Sequence, residues 1–211
     1  MTDSRRTTSQ NVSDEELARR AKGGCAASFE LLVRRFQVPL LRFLNRRTRC
    51  DADAEDLLQD TFVRAYQRIG RYDDRWRFST WLYTIAHRLA MSHHRRQKKT
   101  TPVREQDVSR LRDSPPDPHE QLAGRESRER FWEAAARVLT PEQLAAAWLY
   151  YVEGLKTREL VQVLGKSWVG VKTTLFRARR KLEPLVRQDS DGGVRAAGAP
   201  PKSPVAACAG T

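Results

Sequence analysis

Apolar residues recur every three or four positions through most of the chain, which is the spacing of amphipathic helices. In the first half this pattern begins at the segment 13–16, where Ser13 can cap a helix and an acidic residue three positions later can complete a capping box. It continues past Pro39, which predicts a kink or a restart. Two further segments, 54–69 and 78–96, each place large apolar residues on one face. No segment alternates with period two, so helices packed on helices are predicted, without a sheet.

The second half contains a sharper arrangement of start and stop signals. The segment 140–143 offers a threonine cap, a proline at the first helical position and a glutamine at the capping-box position. The helix that starts there is predicted to end at Gly154. A short helix over 157–164, a three-residue turn over 165–167 and a basic helix from Trp168 to Leu182 follow. This order predicts a helix-turn-helix.

Segments without the helical pattern divide the chain. Residues 1–12 and 188–211 have too few large apolar side chains to offset the entropy of ordering, so both are predicted to be disordered tails. Residues 98–124 carry four prolines and many charges, which predicts a flexible linker. The predicted fold is therefore all-α, with two small helical domains at residues 13–97 and 125–187, the second holding the helix-turn-helix.

The net charge of the chain indicates which class of partner it binds. A formal charge of +13 over 211 residues favours a polyanion such as nucleic acid, with an anionic membrane surface as the rival. No apolar run approaches the roughly 18 residues that span a bilayer, and the first ten residues lack the apolar core of a secretory signal, so a cytoplasmic location is predicted. Neither the three cysteines nor the pair His93 and His94 has metal-ligand spacing, so no metal and no cofactor are predicted.

The basic helix of the helix-turn-helix is the first candidate DNA-binding element. Its segment 169–182 carries five lysines and arginines, while Val171, Leu175, Ala178 and Leu182 form an apolar stripe. The second helix of such a motif can lie in the major groove. A solvated charged face is the alternative for a basic helix taken alone. The residues predicted to contact DNA here are Lys172, Thr173, Thr174, Phe176, Arg177 and Arg180.

A second cationic region lies in the first domain. Residues 75–104 contain eight lysines and arginines, no carboxylate and several aromatic residues. Aromatic side chains can stack on unpaired bases while cations follow the backbone. Phe78 and Trp81 fit the apolar stripe of their helix, so Tyr72, Trp76 and Tyr83 are the candidates for exposed stacking platforms. The full set predicted to contact DNA in this domain is Tyr72, Trp76, Arg77, Tyr83, His87, Arg88, Met91 and Arg95.

An acidic row on the helix 54–69 has the opposite sign from its surroundings. Asp56, Gln59, Asp60 and Val63 are spaced i, i+3, i+4 and i+7, on the face opposite the apolar stripe. Some of the negative charge there favours the positive end of the helix dipole. A row of carboxylates cannot bind DNA directly, so it predicts a docking surface for another protein.

Three motif blocks then occur in order: DAEDLLQDTFVRAYQRI at 53–69, RFSTWLYTIAHRLAMSHHRR at 77–96, and GLKTRELVQVLGKSWVGVKTTLFRARRKL at 154–182. Together they resemble a sigma-70 family RNA polymerase sigma factor, and the short two-domain form resembles the extracytoplasmic function group. The resemblance covers residues 14–187.

The resemblance implies a role for each surface. The first domain is expected to be sigma region two, with Asp56, Gln59 and Asp60 docking on the β′ clamp helices of core RNA polymerase. The loop 72–77 is expected to capture an unstacked base of the promoter −10 element. The helix face with His87, Arg88, Met91 and Arg95 is expected to contact the upstream duplex edge.

The second domain is expected to be region four, which reads the −35 element with Lys172, Thr173, Phe176 and Arg177. The implied partners are core RNA polymerase at its β′ clamp helices and β flap, promoter DNA and an anti-sigma protein. One departure stands out at 167–171, where the family usually has a small residue or proline followed by Val-Gly-Thr-Val. Here the glycine sits one place later, and Trp168 enters the turn.

Two rival functions remain open on the residues alone. A helix-turn-helix regulator independent of polymerase would bind a palindrome as a dimer, but the chain shows no heptad seam for dimerisation. An enzyme acting on nucleic acid would need clustered carboxylates or histidines beside the basic surface, with the acidic row holding magnesium. The first leaves the acidic row unexplained, and for the second that row lies on a helix apart from the cation-rich segment.

Overall fold

The structure is a computed structural model that describes residues 12–48, 50–100 and 121–191. Within these ranges every regular element is helical, which confirms the predicted all-α fold. A 3-10 turn over Ile69–Arg71 follows the third helix. The α-helices are α1 (Asp14–Lys22), α2 (Ala26–Asn45), α3 (Asp51–Arg68), α4 (Phe78–Thr100), α5 (Gln121–Val138), α6 (Pro141–Tyr151), α7 (Thr157–Leu164) and α8 (Trp168–Asp191).

Helices α1 to α4 form the first unit around a shared apolar core. Ser13 caps α1, because its hydroxyl accepts a hydrogen bond from the Glu16 amide at 3.2 Å. Helix α2 continues through Pro39 without ending there. Aromatic rings tie α4 to α2, with the Phe43 and Tyr83 centroids 5.3 Å apart. Consecutive helices thus bury one face each, as their apolar spacing predicts.

Helices α5 to α8 form the second unit. The predicted capping box of α6 is complete, since the Gln143 amide donates to the Thr140 hydroxyl and the Thr140 amide donates to the Gln143 side chain. Helix α7 ends at Leu164 and is capped by Gly165, whose φ of 63° is left-handed and therefore suits glycine. Helix α8 starts at Trp168, so that residue belongs to the helix and not to the turn. The helix-turn-helix is confirmed.

The helices also reach beyond the predicted domain edges. Helix α4 continues to Thr100 and α5 begins at Gln121, so both extend into the segment predicted as a linker. Helix α8 runs to Asp191, into the predicted C-terminal tail. Residues 1–11, 101–120 and 192–211, where most of the predicted disorder falls, lie outside the described residues.

The two units touch each other directly, which the sequence did not predict. The buried Thr80 hydroxyl of α4 donates to the buried Glu159 carboxylate of α7 at 3.0 Å. Beside it, the Arg158 guanidinium lies 5.3 Å from the centre of the Trp76 ring. Elsewhere Arg46 pairs with Glu129 at 3.0 Å. The amino-terminal half of α4 therefore packs against the first helix of the helix-turn-helix.

Candidate nucleic-acid and protein interfaces

Helix α8 turns the expected side toward solvent. Val171, Leu175 and Ala178 are buried in the second unit. Five of the six residues predicted to contact DNA from this helix are exposed, and they are Lys172, Thr173, Phe176, Arg177 and Arg180. Phe176 leaves 65% of its surface accessible, an unusual exposure for a large aromatic side chain. The outward face of α8 therefore combines cations with apolar surface.

Thr174 was expected on the DNA-facing side of α8, but the structure places it on the buried side. The residue is buried at 7% exposure, and its hydroxyl donates to the Gly170 carbonyl at 2.8 Å. It follows Val171 by three positions, so it lies over the same turn that packs against the domain core. Its neighbour Thr173 is exposed, although its hydroxyl likewise donates inward, to the Val169 carbonyl at 2.9 Å.

Two exposed residues at the start of α8 were missing from the predicted set. Trp168 is 52% exposed and Val169 is 66% exposed. The Lys172 ammonium lies 3.6 Å from the centre of the Trp168 ring, in a cation–π contact. The i, i+4 spacing of Trp168, Lys172 and Phe176 was the available signal, because it places all three on one side of the helix.

Two other cations of α8 bond to residues of their own unit. The Arg179 guanidinium donates to the Tyr151 hydroxyl at 2.5 Å and lies near the Tyr150 and Tyr151 rings. The Lys181 ammonium donates to the Val138 carbonyl at 3.0 Å. Arg179 and Lys181 therefore bond within their own unit and do not belong to the outward face that carries Arg177.

In the first unit, Tyr72 and Tyr83 were expected to be exposed stacking platforms, and both are buried instead. The Tyr72 hydroxyl donates to the Trp76 carbonyl at 2.7 Å, and its ring packs against Phe78. Burial raises the pKa of both phenols above the usual range. Both rings belong to the helical core, and Tyr72 supports the loop 72–77 through its hydrogen bond to the Trp76 backbone.

His87 is the third correction in this unit. It was expected on the DNA-facing side of α4, but only 6% of it is exposed. Burial, followed by the charges of Arg47 and Arg88, lowers the pKa of His87 to about 3. The imidazole is therefore neutral at physiological pH and contributes to packing.

The remaining predicted residues of this unit do reach the surface. Arg77, Arg88 and Arg95 are exposed, while Trp76 and Met91 are half-buried. Hydrogen bonds fix the loop that carries Trp76, whose amide donates to the Asp73 carbonyl at 3.1 Å. The Arg75 guanidinium donates to both carboxylate oxygens of Asp73.

A cleft of about 270 Å³ lies where the two units meet. Trp76, Thr84 and Arg88 contribute from the first unit, and Gln162 of α7 contributes from the second. Trp76 and Arg88, two of the candidates for DNA contact, therefore line a cleft shared with a neighbouring helix. Access to them depends on how the units are placed.

The acidic strip, formed by Asp56, Gln59, Asp60 and Val63 on α3, lies open to solvent. Val63 is 54% exposed, although it is apolar. The opposite side of α3 is buried through Ala54, Leu57, Thr61 and Ala65. Beside the strip, His93 approaches the Asp53 carboxylate at 3.6 Å. The strip thus has the exposure and charge that a protein-docking surface needs.

Neither a metal site nor a membrane-spanning helix is present among the described residues. No group of three or more His, Cys, Asp or Glu side chains is placed to hold a metal ion there. Within the same residues, no helix has the length and apolarity required to cross a membrane.

Comparison with protein families matches two models. Residues 32–100 match Sigma-70 region 2, and residues 132–182 match Sigma-70, region 4. The first match contains α3, α4 and the loop between them. The second contains α7, the turn and α8 as far as Leu182.

Individual proteins give the same picture. RNA polymerase sigma factor YlaC of Bacillus subtilis is 31% identical over 74% of this chain and 90% of its own length. The ECF RNA polymerase sigma factor BldN of Streptomyces coelicolor is 31% identical over 83% of this chain, which spans only 66% of that relative. Among solved structures, CnrH in complex with the cytosolic domain of CnrY is 25% identical, with a TM-score of 0.61 over 84% of this chain and 99% of the other.

Proposed function

The chain belongs to the sigma-70 family of RNA polymerase sigma factors, in the extracytoplasmic function group, and from this premise we propose how its surfaces divide the work. The acidic strip binds core RNA polymerase, while α4 with its loop and α8 bind the promoter. The polymerase carries out all catalysis. The observation that carries the proposal is an exposed acidic strip on a basic chain that also exposes a helix-turn-helix recognition helix.

The acidic strip supplies the contact with the β′ clamp helices of the polymerase. Asp56 and Asp60 lie one turn apart and offer two carboxylates to a basic partner, and Val63 adds apolar area at the end of the row. Charge complementarity of this kind fixes the orientation of the partners and speeds their encounter. Because the strip is on the face of α3 opposite the core, binding there requires no rearrangement of the first unit.

Asp60→Arg tests this assignment. Reversing one charge at such an interface costs several kcal/mol, so binding to core polymerase should weaken by more than about a hundredfold. Glu30→Arg is the matched control, since it makes the same charge change at an exposed carboxylate of the first unit, on α2 and outside the strip. Circular dichroism should show both variants folded. Unchanged co-purification of Asp60→Arg with core polymerase would remove the docking role.

Helix α8 reads the −35 element in this proposal. The N-terminal residues of a recognition helix contact base edges in the major groove. Lys172 and Phe176 are exposed in the first turns, followed by Arg177 and Arg180. The hydrogen bonds of Arg179 to Tyr151 and of Lys181 to Val138 hold α8 to the rest of its unit, which fixes the angle at which it is presented.

The loop 72–77 and the exposed face of α4 act on the −10 element. Unstacking a base costs a few kcal/mol, which stacking on an aromatic side chain and backbone contacts can offset. Trp76 is the aromatic residue of the loop with accessible surface, and Arg77 and Arg88 lie beside it. The hydrogen bond from Tyr72 fixes the Trp76 backbone, so the ring is held ready for a base.

The packing of α4 against α7 must open for both elements to be read together. Elements named for positions −35 and −10 are separated by roughly 80 Å of duplex at 3.4 Å per base pair. In the structure, by contrast, Thr80 and Glu159 share a hydrogen bond and Arg158 covers Trp76. The arrangement with α4 packed on α7 is therefore a closed form of the free protein, and promoter binding by holoenzyme uses a separated form.

The remaining partner is an anti-sigma protein. The solved CnrH structure contains a cytosolic domain of a second protein, CnrY, which supports a comparable partner for this chain. The chain itself acts in the cytoplasm, where core polymerase and promoter DNA are found.

Run-off transcription with core RNA polymerase of the source organism, on a library of its genomic fragments, tests the whole proposal. Discrete transcripts that require both the chain and the core enzyme are expected. Footprinting of the protein alone provides the contrast: strong protection of a palindrome without polymerase would instead identify an independent helix-turn-helix regulator.

A further inference from the structure

We infer that an apolar patch at the start of α8, made by Trp168, Val169 and Phe176, reads the 5-methyl groups of thymines in the −35 element. The inference rests on the proposed function, in which α8 enters the major groove. It goes further by naming the chemical feature of the bases that α8 selects. It also gives a role to the tryptophan that departs from the usual family pattern.

The patch consists of three exposed apolar side chains near the start of a cationic helix. Trp168, Val169 and Phe176 are exposed by 52%, 66% and 65%. Trp168 and Phe176 lie two turns apart on one side of α8, with Lys172 between them. A soluble protein gains no stability from leaving three large apolar side chains together in water, so such a patch indicates a surface that a partner covers.

The polar groups around the patch are largely engaged within the helix. The Thr173 hydroxyl donates to the Val169 carbonyl, which leaves the threonine methyl as additional apolar surface. Thr174 is buried and donates to Gly170. The Lys172 ammonium lies over the Trp168 ring. The first two turns of α8 thus present mainly carbon and one cation to the bases.

Charge identifies nucleic acid as the occupant, in preference to an apolar protein groove. No carboxylate occurs from residue 168 to residue 182, and the exposed Arg177 and Arg180 follow the patch directly. Cations beside the patch can bond base edges and the phosphates that flank a groove. The thymine methyl is the apolar feature that the major groove displays, and phenylalanine is among the side chains that contact it.

The test uses the full chain bound to core RNA polymerase. Holoenzyme first selects duplexes from a library with a randomised upstream segment, and the −35 block is the one whose enrichment is lost with Arg177→Ala. Each thymine of that block is then replaced by deoxyuridine, which removes only the 5-methyl group. Burial of one methyl group corresponds to about a fourfold change in affinity, so each contacted position should bind about fourfold more weakly.

Variants assign the contacts to the patch. Val169→Ala and Phe176→Ala should each lose the response to deoxyuridine at one position, and both side chains are too exposed for the change to affect folding. Val152→Ala is the matched control, because Val152 is 46% exposed in the same unit but lies outside α8. Its response to deoxyuridine should equal that of the unaltered protein.

The outcomes separate this inference from the function on which it rests. If holoenzyme selects a −35 block that lacks thymine, or if deoxyuridine leaves affinity unchanged, methyl recognition is overturned while promoter recognition stands. If holoenzyme selects no sequence at all, the proposed function fails and the inference fails with it.

Discussion

Helices α4 and α8 are both basic and amphipathic, yet they use their side chains in different ways. In and just before α4, three residues predicted to contact DNA are buried, namely Tyr72, Tyr83 and His87. In α8 only Thr174 is buried among the six predicted. Helix α4 contacts α1, α2, α3 and α7, whereas α8 contacts α5, α6 and α7 of its own unit. A helix with neighbours on more sides has a narrower exposed face, so the same sequence pattern overestimates its accessible surface.

The largest expected effect concerns His87, the buried residue that most sharply distinguishes α4. Its pKa is lowered to about 3 in the folded protein, against about 6.5 when unfolded, so the unfolded chain takes up the proton more readily. Neutral His87 makes its full contribution to the free energy of unfolding above about pH 6.5, and this contribution is lost as the pH falls toward 3. The loss amounts to about 3 kcal/mol at pH 4.

Urea denaturation from pH 7 to pH 4 measures this effect. The free energy of unfolding should fall less steeply with acid in His87→Gln than in the unaltered protein, by about 3 kcal/mol over the range. Identical pH dependence in the two proteins would show that His87 is solvated, and the contrast between α4 and α8 would weaken.

The next prediction addresses the aromatic residue of the loop that does reach the surface. Trp76→Ala should destabilise the melted promoter by about 1 to 3 kcal/mol, because stacking of one base is lost. Trp76→Phe keeps a stacking face and serves as the control. Fluorescence of 2-aminopurine placed in the −10 element reports the opening. Equal opening by the alanine variant would leave α4 and its loop without a base-stacking residue.

The next prediction concerns α8, where the expected loss of binding free energy is no larger than the loss expected for Trp76→Ala. Arg177→Ala should weaken −35 recognition by about 1 to 3 kcal/mol if the guanidinium makes a paired contact to a base. Arg179→Ala removes an arginine two positions away that is bonded to Tyr151, so it should leave promoter preference unchanged. Competition binding of promoter fragments by holoenzyme measures both variants. A larger loss from Arg179→Ala than from Arg177→Ala would reverse the assignment of the two faces.

The smallest effect concerns the contact between the units. Thr80→Val keeps the shape of the side chain but removes its hydrogen bond to Glu159, while Glu159 keeps its bond to the Lys156 amide. The closed form should lose about 1 kcal/mol. Fluorescence energy transfer between dyes on the two units of the free protein should then show a larger separated population. The same transfer efficiency in both proteins would mean that this bond does not hold the units together.

The sequence alone correctly predicted the features that depend on local chemistry. The capping box at Thr140, the turn at Gly165 and the outward placement of the acidic strip all follow from residue type and spacing within one or two helical turns. The buried stripe of α8 through Val171, Leu175 and Ala178 was equally readable. Short-range periodicity is sufficient for such features, because residues three and four apart share a face wherever the helix packs.

Only the tertiary structure decided how wide each buried face is and what lies against it. Tyr83 and His87 are buried because helices from distant parts of the chain meet α4 on several sides. Periodicity gives the centre of a buried face, but its width depends on the number of neighbouring helices. The bond between Thr80 and Glu159 joins residues 79 positions apart, and no local pattern encodes such a contact. The sequence therefore determined the helices and their polarity, and non-local packing determined which of their polar and aromatic side chains remain available to a partner.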